Sequence, residues 1–72
     1  MELKILRIKA RMSQAEAAEK VGVNQATVCC WERGEYKPKP ASVAKLAEIY
    51  GVSEVTILNA VKEAAKEAKK ND

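Results

Sequence analysis

The chain has no histidine and no phenylalanine, and it has only two cysteines, two prolines and three glycines. A zinc site needs about four ligands, so two cysteines without histidine do not supply one. A cysteine nucleophile would also lack its usual base. Neither a paired-carboxylate pocket nor a phosphate-cradling glycine loop is evident. We therefore expect no enzyme activity, no metal and no cofactor.

Long apolar runs are also missing. No stretch approaches the roughly 18 apolar residues of a membrane-spanning helix, and no apolar run leads the chain. We therefore expect neither a transmembrane helix nor a signal peptide, and no membrane partner. Two cysteines without a spaced framework are typical of the reducing cytoplasm, which is the predicted location. The 72 residues leave no room for a separate ligand-binding domain, and no small-molecule ligand is evident, so we expect either a complete small protein or one part of something longer.

The composition that remains is that of one small globular domain. Hydrophobic residues make up 47% and charged residues 32%, which separates the chain from disordered sequences. The aromatic residues are Trp31, Tyr36 and Tyr50 alone, so the core must be aliphatic. The net charge of +3, with a pI of about 9.0, permits nucleic-acid binding without establishing it.

Helix signals dominate the chain, and hairpin signals are missing. Ser13 and Glu16 in "SQAE" predict a capping box, in which each side chain accepts a backbone N–H of the other residue. Gly22 suits the left-handed end of that helix, and Pro40 suits the first turn of a later one. The predicted helices span about residues 2–10, 13–21, 24 to 31 or 32, 40–50 and 54–70. We predict a single all-α domain with its core at about 3–60 and a helical C-terminal extension over 61–72.

Residues 14–33, "QAEAAEKVGVNQATVCCWER", resemble the helix-turn-helix of the Cro and phage-repressor type of bacterial and phage transcription regulators. Ala18 matches the small residue where the two helices touch, and Gly22 matches the turn glycine. The apolar positions that pack the unit are matched by Val21, Val23 and Val28. "WERG", "KP" and "KLAEIYGVS" continue the resemblance, which covers residues 3–58. It implies a five-helix, lambda-repressor-like fold.

Three residues depart from the family pattern. Arg11 stands where glycine is common, and a positive φ at that position would cost Arg11 about 1 kcal/mol. Lys39 stands where a serine-like helix cap is usual. Ile8 stands where a polar residue is common.

The resemblance implies that the third helix is the recognition helix and enters the DNA major groove with its N-terminus first. Gln25 is the strongest base-contact candidate, because a glutamine amide pairs with adenine N6 and N7. The full set of base-contact candidates is Asn24, Gln25, Ala26, Thr27 and Cys30. As the alternative, Gln14, Gln25 and Thr27 are simply solvated polar residues.

The resemblance also implies residues that contact the phosphate backbone. It pairs Arg7 of the first helix with Glu32 just after the recognition helix, so that the carboxylate fixes the guanidinium near a phosphate. The alternative is two unrelated surface charges, a pair worth about 0–1 kcal/mol. The phosphate-contact candidates are Arg7, Gln14, Arg33, Lys37 and Lys39.

Cys29 and Cys30 are adjacent in the recognition helix. Side chains of neighbouring helical residues diverge by about 100°, so the two thiols do not readily form a disulfide with each other. We interpret both as occupants of positions that accept many residue types. Thiol-based redox sensing is the alternative.

The last helix carries more apolar residues than one small core needs. We expect some of them to pack inward and the rest to form a two-fold contact, and the resemblance favours a homodimer through this helix. The dimer-contact candidates are Val55, Ile57, Leu58 and Val61. A dimer would place two recognition helices about 34 Å apart on one face of double-stranded DNA. The predicted function is a sequence-specific repressor on a two-fold operator. The alternative is a helical protein-interaction module, antitoxin-like or coactivator-like.

Overall fold

The computed structural model describes the backbone of residues 2–70 and the side chains of residues 2–68. Residues 71–72 of the predicted extension lie outside this part. The five helices are α1 (Glu2–Lys9), α2 (Gln14–Val21), α3 (Gln25–Arg33), α4 (Pro40–Tyr50) and α5 (Glu54–Lys70). Residues 2–70 contain no strand. The predicted all-α, five-helix architecture is confirmed, and each helix boundary lies within two residues of its predicted position.

Side-chain caps begin α2, α3 and α5. The Glu16 backbone N–H donates to Ser13 Oγ at 3.1 Å, and the Ser13 N–H donates to Glu16 Oε1 at 3.4 Å, which is the predicted capping box. Asn24 caps α3 by accepting the Thr27 N–H at 2.9 Å. Ser53 caps α5 by accepting the Thr56 N–H at 3.2 Å. These bonds satisfy backbone donors that a helix start leaves unpaired.

The departures from the family pattern have local consequences. Arg11 has a φ of 59°, so a non-glycine residue does occupy the left-handed region between α1 and α2. Only glycine adopts this region without steric cost. Lys39 precedes α4 without a side-chain cap, and Pro40 occupies the first turn, where its missing N–H leaves no donor unpaired.

The core lies where α5 packs against α1, α3 and α4, while α2 packs against α3 and α4. It is aliphatic, as predicted, with Trp31 and Tyr50 as its aromatic members. The largest fully buried side chains are Leu3, Val28, Leu46 and Ile57. Because these come from four different helices, burial of one small cluster holds α1, α3, α4 and α5 together.

The core extends beyond the predicted boundary at residue 60. Val61 is 7% exposed and Ala64 is 1% exposed, so the first turn of the predicted extension belongs to the core. At this point α3 ends against α5. Gly34 (φ 80°) follows α3, and a Cβ built on it would overlap the carbonyl group of Ala64. The glycine therefore permits a close approach between the end of α3 and the third turn of α5.

Within residues 2–70, none of the helices combines the length and the apolar character that a membrane span requires.

Candidate nucleic-acid interface

The unit formed by α2 and α3 turns sharply over three residues. Gly22 has a φ of 90°, and its N–H donates to the Ala18 carbonyl at 2.8 Å. The Val23 N–H donates to the same carbonyl at 2.9 Å. Ala18 itself is buried, so its small side chain lets the two helices approach. Asn24 follows the turn and is the N-cap of α3.

One side of α3 is fixed in the protein and the other faces outward. Val28, Trp31 and Glu32 are buried. Gln25 and Ala26, two of the base-contact candidates, are exposed at the start of the helix. The outward side is therefore free to contact a large ligand without disturbing the core.

The side chains of the other base-contact candidates are partly engaged in hydrogen bonds or packing within the protein. The Thr27 hydroxyl donates to Asn24 Oδ1 at 2.9 Å, and the same oxygen caps the helix. Cys30 lies half-buried one turn further along α3. Asn24 is exposed too, but its Oδ1 accepts both of these hydrogen bonds, so Gln25 is the exposed candidate whose side-chain amide takes no part in the helix cap.

Arg7 and Glu32 form a buried ion pair. Arg7 Nε donates to Glu32 Oε2 at 2.6 Å, and Nη2 donates to Oε1 at 3.3 Å. The side chains are 10% and 5% exposed, which rules out two unrelated surface charges. The hydrogen bond with Glu32 raises the pKa of Arg7, although burial acts in the opposite direction. The arrangement is the two-pronged carboxylate contact that suits a guanidinium.

The Glu32 carboxylate also accepts a hydrogen bond from a third residue, a contact that the sequence analysis did not predict. Gln14 Nε2 donates to Glu32 Oε1 at 3.0 Å. Arg7 Nη1 donates to the Met12 carbonyl at 2.9 Å, so the turn that contains Arg11 is held as well. No local pattern links residues 18 apart, and only the placement of α2 on α3 brings Gln14 to Glu32. Together, Arg7, Gln14 and Glu32 form what we call the clamp.

The clamp changes the interpretation of Arg7. Its guanidinium is buried and donates to Glu32 and to Met12, both within the protein. Gln14, half-buried at the first residue of α2, lies closer to solvent. The geometry therefore suits Arg7 for orienting the helices and Gln14 for contact with an external group.

The remaining phosphate candidates are exposed: Arg33 is the last residue of α3, and Lys37 and Lys39 lie in the connector that follows it. Arg33 Nη2 lies 3.2 Å from Glu35 Oε1 in an exposed ion pair. Lys37 and Lys39 line a groove of about 330 Å³ that Thr27 also lines. The structure thus brings two predicted phosphate contacts and one predicted base contact to one concave surface beside α3.

Cys29 and Cys30 are both free thiols. A hydrogen bond with the Glu35 carboxylate raises the pKa of Cys30, and desolvation and the charge of Glu35 act in the same direction. A raised pKa leaves less reactive thiolate at neutral pH, which weighs against redox sensing by Cys30. Across the described side chains, no three potential metal ligands from histidine, cysteine, aspartate and glutamate are grouped.

The dimer-contact candidates divide into two pairs. Val55 and Leu58 are 64% and 51% exposed, so they are available on the surface of α5. Ile57 is fully buried and Val61 is 7% exposed, because both face the core that α5 shares with the other helices. Ile57 and Val61 are therefore the members of the set that pack inward and not dimer contacts, and a dimer contact through Val55 and Leu58 stays a prediction.

Comparison with known proteins agrees with this geometry. A family profile described as helix-turn-helix matches residues 3–57. The chain is 37% identical over 51 residues to the cryptic phage CTXphi transcriptional repressor RstR of Vibrio cholerae. The match covers 71% of this chain and 46% of that repressor, so the chain spans about half the length of this relative. No solved structure matches the chain significantly. The chain belongs to the Cro and phage-repressor type of the helix-turn-helix family.

Proposed function

We propose that the chain is a transcription regulator that binds double-stranded DNA through α3 and represses from a two-fold operator as a homodimer. The observation that carries this proposal is the division of α3. Its inner side is buried with Val28 and Trp31, while Gln25 and Ala26 are exposed at its N-terminal end. A rigid helix with exposed residues at its start suits insertion into the major groove.

The roles within the proposed complex follow from the contacts. Gln25 reads a base edge, and Ala26 packs against a thymine methyl group. Gln14 meets a phosphate at the N-terminus of α2, where the helix dipole favours an anion. Glu32 fixes the Gln14 side chain for that contact, and Arg7 supports Glu32. Arg33, Lys37 and Lys39 supply further phosphate contacts.

Family membership and the named repressor support the regulatory part of the proposal. The exposed Val55 and Leu58 support the homodimer, because apolar side chains on an outer helix face gain stability when a second copy covers them. Two copies related by a two-fold axis would match an inverted repeat in the DNA.

The proposal is tested by selecting bound duplexes from a random DNA pool at about 150 mM salt, where nonspecific binding is weak. We expect enrichment of an inverted repeat. If folded protein enriches no sequence, the helix-turn-helix would serve as a scaffold, and the search would turn to protein partners.

The role of Gln25 has its own test. Gln25→Ala should weaken binding to the selected site by about 1–3 kcal/mol, with thermal unfolding unchanged, because it removes one base contact from an exposed position. Asn59→Ala is the matched control, since it removes an exposed amide from α5. Equal affinities of the two variants would refute the assignment of Gln25 as a base contact.

A further inference from the structure

Three lysines from two distant segments line a second groove. Lys37 comes from the connector between α3 and α4, and Lys62 and Lys66 come from α5. The groove has a volume of about 270 Å³, and Ala65 is the remaining described residue that lines it. All three lysines are exposed. We call this surface the lysine groove.

The packing of α3 on α5 creates this groove. Gly34 lies against the backbone of Ala64 and Ala65, an approach that any Cβ at residue 34 would block. Lys37 follows three residues later, so the connector leaves α3 alongside the last turns of α5. The meeting of Lys37 with Lys62 and Lys66 is therefore a product of the fold.

The lysine groove is continuous with the surface beside the recognition helix. Lys37 lines both grooves, and the other groove is also lined by Thr27 and Lys39. Cationic side chains thus extend from the exposed side of α3, across the connector, to α5.

The charges of the lysine groove favour an anionic partner. Lys62 and Lys66 are four residues apart on one helix face, where like charges repel. Lys37 adds a third positive charge, and no acidic side chain is among the described residues that line the groove. A phosphate backbone removes this repulsion and releases counterions. A second copy of the chain, with a net charge of +3, would place lysines against lysines.

We infer that Lys62 and Lys66, together with Lys37, form a further phosphate-binding surface, with which α5 holds the backbone of the duplex that α3 reads. This inference rests on the proposed function. It gives the last helix a role in DNA affinity that its sequence, an alanine-, lysine- and glutamate-rich helix, did not indicate.

The test compares two double variants that remove the same charge. In K62Q/K66Q, glutamine retains the helix propensity of lysine, so the fold is preserved. K4Q/K45Q removes two exposed lysines of α1 and α4 that line neither groove. Affinity for the selected duplex and for a scrambled duplex is measured by fluorescence anisotropy at several salt concentrations.

Relative to K4Q/K45Q, we expect K62Q/K66Q to bind both duplexes about tenfold more weakly and to lower the slope of log affinity against log salt by about 1–2. Sequence preference should be unchanged, because phosphate contacts carry no base information. Equal affinities and slopes for the two variants would overturn the inference. A changed oligomeric state in sedimentation with an unchanged salt slope would overturn it too, and would assign the groove to a second copy. Absence of DNA binding by the unaltered chain would instead refute the proposed function.

Discussion

Gly34 allows the end of α3 to lie close to the backbone of α5. Its φ of 80° is strained for any L-residue, and a Cβ there would overlap the Ala64 carbonyl. We expect Gly34→Ala to lower the free energy of unfolding by about 2–4 kcal/mol, combining the left-handed strain with overpacking against backbone. Thermal unfolding checks this, since each kcal/mol shifts Tm by about 4–8 °C in a domain of this size.

Gly22→Ala is the matched control for Gly34. Gly22 also has a positive φ, but a Cβ built on it would meet no atom within 4 Å. Its substitution should cost only the backbone strain, about 1–2 kcal/mol. Similar losses for the two variants would mean that α5 moves aside readily and that the contact with Ala64 adds little stability.

The Tyr50 hydroxyl is buried, and no hydrogen-bond partner for it is found within the described residues. Burial, aided by the negative charge of Glu32, raises the pKa of Tyr50 from 10.0 to about 12. The folded state thus holds the phenol proton more tightly than the unfolded state does. The resulting stability is fully present below about pH 10 and is lost as the pH rises towards 12.

Tyr50→Phe should therefore act in two ways. It should raise the free energy of unfolding at pH 7 by about 1 kcal/mol, because it removes an unpaired buried hydroxyl. It should also flatten the fall in stability between pH 10 and 12. Urea unfolding across this range measures both effects, with the exposed Tyr36→Phe as control. A destabilised Tyr50→Phe variant would reveal that the hydroxyl has a favourable contact.

At the scale of the helices, the clamp joins α1, α2 and α3 through one carboxylate. Glu32→Ala leaves the Arg7 charge buried and unpaired, so we expect a loss of about 3–5 kcal/mol in the free energy of unfolding. Glu35→Ala removes the carboxylate of the exposed pair with Arg33 and should cost only about 0–1 kcal/mol. Chemical denaturation distinguishes the two, and equal losses would contradict a structural role for the clamp.

The helices were predictable because their signals are local. Ser13, Gly22 and Asn24 each act within four residues along the chain, through caps or a left-handed turn. The contacts that complete the site are not local. Gln14 meets Glu32 only after α2 folds onto α3.

Which of the four dimer-contact candidates pack inward could not be read from the sequence for a related reason. The apolar residues of α5 form more apolar surface than one small core needs. The number of helices that cover this surface cannot be read from the sequence. Because α1, α3 and α4 all pack against it, a wide arc of α5 is buried. Only Val55 and Leu58 of the predicted set remain outside that arc.

At the scale of the whole molecule, the proposed homodimer depends on this exposed pair. Leu58→Glu should shift sedimentation towards the monomer and weaken binding to an inverted repeat more than to a single half-site. The acidic side chain would lie four residues before Lys62, a spacing that supports the helix and preserves the fold. Ile8→Glu, an exposed apolar position on α1, is the control. If Leu58→Glu leaves the dimer intact, another surface forms it.

The two sides of α3 differ in how freely they can evolve. Substitutions at Val28, Trp31 or Glu32 disturb the core or the clamp, so they are expected to be eliminated by loss of folding. Gln25 and Ala26 are exposed, so substitutions there are expected to leave the free energy of unfolding almost unchanged. Under the proposed role of α3, a lineage of such proteins can therefore acquire a new DNA preference by one or two mutations on an unaltered scaffold. Sister proteins could diverge until neither occupies the other's site.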